Sequence, residues 1–208
     1  MHSNQMIRRA GPCLGLSLLS LLAATPALAH HPFGMPEGSG INAWQGVISG
    51  IGHPLLGPDH LLFLLAIALV GLRQPRRWVL PLLALGLGGS LVSQLVPLPS
   101  ALETAAEACV SLTLVLEGLV ILGRLPVWLL LPAISLHGYL LGGAVIGAEP
   151  APLLAYGLGL LIGQGVLLLA VTGVSSRLLE GVGSNGRQIA AGVWIGIGAA
   201  FTWSLLVP

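Results

Sequence analysis

Polar residues are so sparse along this chain that they mark out its elements. Continuous apolar runs cover 78–96, 101–122, 126–147, 153–174 and 188–207, and a longer one covers 41–72. Short polar or proline-rich breaks separate them: Arg73-Gln74-Pro75-Arg76-Arg77, Pro97-Leu98-Pro99, Gly123-Arg124, Glu149-Pro150, and the polar loop expected at 175–187. Each run is close to the ~20 residues a helix needs to cross a bilayer. A β-barrel, the other structure able to span lipid, requires short segments of alternating polarity. The runs here are unbroken and rich in Leu, Ala and Gly. The pattern predicts an all-α integral membrane protein with six transmembrane helices in a single domain, residues 30–208.

Residues 1–29 read as a cleaved secretory signal peptide. Arg8-Arg9 forms the positive end, 13–23 the apolar centre, and Ala27-Leu28-Ala29 the small-residue cleavage site. Its apolar run is shorter than a span requires. Cleavage gives a mature chain that starts at His30-His31-Pro32, where a new amine and two imidazoles form a candidate capture point for a divalent metal.

Composition confirms the class. Of 208 residues, 55% are hydrophobic and 7% charged, with mean hydropathy +0.94, whereas a soluble domain carries roughly 25% charged residues. The chain has no Lys, and no basic cluster suited to nucleic acid. Its two cysteines, Cys13 and Cys109, form neither a CxxC motif nor a disulfide framework.

Charge also sets the orientation. With one span in 41–72 and the mature N-terminus outside, the loops holding Arg73, Arg76, Arg77, Arg124, Arg177 and Arg187 are all cytoplasmic. The loops at Pro97 and Glu149 contain no basic residue. This is the positive-inside pattern, and two spans in 41–72 would break it. Both mature ends are therefore expected on the periplasmic side of a bacterial inner membrane.

The candidate chemistry lies in Gly52-His53-Pro54-Leu55-Leu56-Gly57-Pro58-Asp59-His60. A residue before proline is biased away from helix, and Gly57-Pro58 makes a second break. The first helix is thus expected to be broken at 53–58, with Asp59-His60 opening a helix that runs to Leu72. Irregular backbone at membrane depth survives where it lines a cavity or is buried in protein. Ionisable groups at that depth mark functional sites. At ~1.5 Å per residue, His60 and His137 lie roughly 18 Å, and Glu107 roughly 24 Å, from the cytoplasmic ends of their spans. His53, Asp59, His60, Glu107 and His137 are therefore the candidate metal path, with His30, His31 and Glu117 as further candidates. Imidazole and carboxylate suit divalent first-row ions such as Ni, Co, Zn and Fe, and no thiolate cluster is present for a structural zinc or copper(I) site. Gln94, Thr113 and Gln164 are assigned as hydrogen bonders between helices, and the abundant intrahelical glycines as packing positions.

His53-Pro54-x-x-Gly57-x-Asp59-His60-Leu61-Leu62-Phe63 after a signal peptide resembles the motif of the HupE/UreJ family. Glu107 with Thr113 and Gly118 is similar to that family's third-helix pattern, and His137-Gly138 to the start of its second histidine motif. This chain departs from the second motif at Leu141 and Ala144, where the family usually has histidine and glutamate. Its fifth helix also lacks the family's histidine. The resemblance implies a permease, not an enzyme, that carries Ni²⁺ or Co²⁺ from periplasm to cytoplasm as substrate, with no cofactor. Its expected partners are the metal ion and the lipid bilayer, with links to urease, hydrogenase or nickel superoxide dismutase maturation. The competing readings of the same residues are an intramembrane metal-dependent hydrolase and a membrane metal-binding accessory protein.

Overall fold

The computed structural model describes residues 42–146 and 150–207, all within one unit, His31–Pro208. The expected signal peptide, His30, His31 and Glu149 lie outside the described residues. Among the described residues all regular structure is helical. The helices are α1 (Ala43–Leu56), α2 (Pro58–Ala66), α3 (Pro75–Leu95), α4 (Glu103–Ile121), α5 (Leu130–Gly143) and a stretch Pro150–Leu206. That last stretch departs from helical backbone at Gly183, where φ is 66° and ψ −177°. Its two halves are called α6 (150–182) and α7 (184–206). Single turns of 3₁₀ helix, Ser100–Leu102 and Val127–Leu129, lead into α4 and α5.

Local sequence explains the ends. Asn42 and Gln45 form a reciprocal capping box at the start of α1, each side chain accepting from the other's backbone N–H at 2.9 Å. Proline opens α2 and α3, where its missing N–H costs nothing. Gly71, Gly123 and Gly183 hold positive φ at the breaks, a region that side chains disfavour. The Arg187 guanidinium closes the end of α4 by donating to the Ile121 carbonyl at 2.8 Å.

Among the described residues, three helices are long and apolar enough to cross a membrane: Pro75–Leu95, Ser100–Ile121 and Pro150–Leu206. Val127–Gly143 is a shorter apolar helix. Large apolar side chains such as Leu80, Leu91, Leu95, Leu154, Ile189 and Trp203 are exposed, as expected of surfaces that face lipid.

The helices pair along seams of small residues. A Cβ on Gly138 would run into the Gly86 carbonyl oxygen, and one on Gly89 into that of Ser135, so α3 and α5 touch backbone to backbone. Ser90 Oγ donates to the Gly138 carbonyl and Gln94 Nε2 to that of Gly142, each at 2.7 Å. Gln94 thus acts as the interhelical bonder expected of it. In the same way Gly50 meets Tyr156 and Gly159 meets Val47, which joins α1 to α6. Gly118 meets Ala191 and Gly198 meets Ser111, which joins α4 to α7. In lipid, where apolar burial supplies little drive between helices, this close approach is the main attraction.

Three sequence expectations need correction. The backbone is not irregular across 53–58: α1 continues through His53 and Pro54 to Leu56, and only Gly57, at φ −74° and ψ 112°, is extended. Packing of Gly46 and Gly50 on α6 overrides the local bias of a residue before proline. The second half of that run does not stay helical to Leu72. α2 ends at Ala66, and residues 67–70 turn while remaining buried, with Ser175 Oγ donating to the Ala68 carbonyl at 2.7 Å. Finally, 175–187 is helical apart from Gly183 rather than a loop.

Candidate metal site

His53 sits near the end of α1, Asp59 and His60 in the first turn of α2, and His137 midway along α5. The interruption at Gly57 lets the chain turn between the two halves of the motif, so the His53 and His60 rings lie 6.1 Å apart, centroid to centroid. The His60 and His137 rings are closer, at 4.8 Å and nearly perpendicular. Phe63 packs on His137 from one side at 4.3 Å. His60 and His137 are buried, at 9% and 3% exposure, while the Asp59 side chain keeps 24%.

The hydrogen bonds behind each ring decide what it offers in front. Tyr156 donates its only hydroxyl proton to the Leu141 carbonyl at 2.6 Å. Its oxygen, 2.8 Å from His53 Nδ1, therefore accepts, and His53 carries its proton on Nδ1. Thr113 donates to the Val110 carbonyl at 2.6 Å and stands 2.7 Å from His137 Nε2. By the same logic Thr113 accepts from Nε2–H, and the lone pair of His137 is on Nδ1. His60 Nδ1 lies 2.9 Å from Asp59 Oδ1, and an ionised carboxylate only accepts. The lone pair of His60 is on Nε2. Tautomers assigned in this way follow from the hydrogen-bond network, and the group behind each ring fixes which nitrogen keeps its lone pair.

His60 Nε2 and His137 Nδ1 are both buried without a hydrogen-bond partner, and both residues line one small cavity with Pro54, Phe63, Leu64, Ile134, Leu141 and Gln164. Its volume is about 10 Å³, enough for one water-sized occupant. Two buried lone pairs that face no donor are costly, on the order of 1–3 kcal/mol each. A cation or a water proton in the cavity relieves that cost.

The remaining candidates are placed less tightly. Glu107 is half-buried on α4, roughly 9 Å of helix rise before Thr113. Glu117 is fully buried one turn after Thr113, with neither carboxyl oxygen partnered. Among the described residues no three His, Cys, Asp or Glu side chains form a group able to hold a metal. The donors that do converge are two histidines from separate helices.

Sequence reasoning missed Tyr156 and did not place Gln164 beside His60 and His137 at the cavity. Tyr156, Leu160, Gln164, Leu168 and Thr172 recur every fourth residue on α6 and are all buried. That spacing, carrying the only polar side chains of an otherwise apolar helix face, was the available signal. Thr113 does bond between helices, but its partner is the site histidine.

Apolar helices joined by glycine seams, with imidazoles and a carboxylate held among them, define a helical membrane protein with an internal polar site. The chain belongs to the HupE/UreJ family: the family model described as HupE / UreJ protein matches residues 18–201. No curated protein and no solved structure matches it.

Proposed function

We propose that the protein is a secondary permease that carries Ni²⁺, or Co²⁺, from periplasm to cytoplasm across a bacterial inner membrane. The observation that carries this reading is that His60 and His137, each with one buried unpartnered ring nitrogen and with rings 4.8 Å apart, line one small cavity of a HupE/UreJ chain. In this reading the chain crosses the membrane six times: α1 with α2, then α3, α4, α5, α6 and α7. The signal peptide is removed, and both mature ends face the periplasm.

The path follows from position. Asp59, more open than His60 and His137, and Glu107, on the outer half of α4, supply negative charge that draws a cation inward. His53 and His60 replace water ligands, and His137 shares the ion with His60 in the cavity. Glu117, one turn further along α4, receives it on the cytoplasmic side. Two neutral nitrogens without a closed cage of charged ligands suit a site that must release its ion as readily as it admits it. The membrane potential, about 2.3 kcal/mol per charge per 100 mV, drives a divalent cation inward.

The test is uptake of labelled nickel by cells lacking their own importers. The parent chain raises cellular nickel, and His60→Ala and His137→Ala each abolish the gain. Unchanged uptake by the double variant would overturn the reading. Purified protein in liposomes distinguishes permease from accessory protein, because only a permease moves nickel with no other component.

A further inference from the structure

We infer that Gln164 supplies the third donor to the ion in the cavity, through its side-chain carbonyl oxygen, and so helps decide which divalent ions pass. The inference rests on the permease reading and adds a ligand to it. Gln164 is 2% exposed, on a helix face where a polar side chain without a partner is costly. Its Oε1 is buried and makes no hydrogen bond, and the residue lines the same cavity as His60 and His137. Three helices, α2, α5 and α6, therefore each bring to one small space a residue that carries a buried unpartnered atom. Every such atom is a lone-pair donor: His60 Nε2, His137 Nδ1 and Gln164 Oε1.

The surroundings hold the amide in place. A Cβ at Gly86 of α3 would stand 2.7 Å from Gln164 Oε1, so the bare glycine makes the room that the amide oxygen occupies. One face of α6 carries both Tyr156, which orients His53, and Gln164. α6 thus contributes an orienting group and a direct donor to the same path.

The chemistry selects a substrate class. Two imidazole nitrogens and one neutral amide oxygen form a donor set of intermediate hardness, suited to divalent first-row ions and poor for copper(I), which prefers thiolate or thioether. The neutral oxygen adds a ligand without adding charge, which lowers the dehydration cost while leaving the ion free to move on.

The alternative is an amide turned the other way, with its NH₂ donating to the histidines as a structural strut. Glutamate distinguishes the two, since an ionised carboxylate can ligate but cannot donate. Ni²⁺ binding to purified full-length protein is measured by calorimetric titration, and its coordination by X-ray absorption, for Gln164→Leu and Gln164→Glu. Gln164→Leu is expected to weaken nickel binding by about tenfold or more, the scale of a lost metal-site interaction, and to remove one oxygen from the nickel shell. Gln164→Glu is expected to keep that oxygen, bind nickel at least as tightly as the parent and release it more slowly in uptake assays. Binding by Gln164→Leu within about twofold of the parent overturns the inference, as does a loss in Gln164→Glu equal to that in Gln164→Leu. Should Gln164→Leu fail to fold, the absorption spectrum of Gln164→Glu decides alone. If His60→Ala with His137→Ala leaves uptake intact, the permease reading itself falls; if only the Gln164 variants behave as parent, that reading stands without this ligand.

Discussion

Tyr156 gives its one hydroxyl proton to the Leu141 carbonyl, and that choice determines which nitrogen of His53 bears a lone pair. Tyr156→Phe removes both bonds at once, the one to the Leu141 carbonyl and the one to His53 Nδ1. It is expected to destabilise the protein by about 1–3 kcal/mol, read by thermal denaturation in detergent, and to weaken nickel binding by about tenfold, read by titration. Thr113 plays the same part for His137, so Thr113→Val should lose nickel uptake and Thr113→Ser, which keeps the hydroxyl, should retain it. Glu117 poses the opposite case, a carboxyl fully buried with neither oxygen partnered. Glu117→Leu removes a desolvated group and should raise stability by roughly 1–3 kcal/mol while lowering the uptake rate. A variant that is both more stable and fully active would show that the acid has no place on the path.

At the scale of elements, the glycine seams decide how near two helices come. On α5, Gly138 abuts the Gly86 carbonyl of α3, while Gly143 has open space where a Cβ would stand. Gly138→Ala must push α3 and α5 apart and should cost about 1–3 kcal/mol, the usual range for overpacking. Gly143→Ala should be neutral or stabilise by up to about 1 kcal/mol through helix propensity. Paired melting curves of the two variants check this, and equal effects would mean that the seam is not the contact that matters. Because Gly138 directly follows His137, the first variant should also shift nickel affinity and the second should not. The elements themselves were legible in the sequence, since long apolar runs between arginine and proline breaks leave little choice but helix. Their local ends were less so. Pro54 reads as a helix breaker, yet α1 runs through it because Gly46 and Gly50 lock that helix against α6. Nothing within 41–72 announces where α6 will press.

Across the whole molecule, the proposed six-span arrangement makes a definite topological prediction. With Cys109 replaced by Ser, a cysteine placed at Arg76 or Arg124 should react with a membrane-impermeant thiol reagent only from the cytoplasmic side, and one at Ser100 only from outside. All three positions are exposed. Labelling of Arg76→Cys and Ser100→Cys from the same side would remove a span between them and overturn the proposed topology.

The sequence by itself determined the class, the approximate helices and the cluster of His53, Asp59 and His60, because each depends on composition or on neighbours within a turn or two. It also pointed to His137, on another helix, as a residue of similar depth. Only the tertiary structure decided which nitrogen each histidine presents, that Tyr156 and Thr113 make that choice, and that Gln164 lines the cavity beside His60 and His137. The reason is physical. A tautomer, an unpartnered lone pair and a cavity belong to no single segment; they exist only once separate helices have come together.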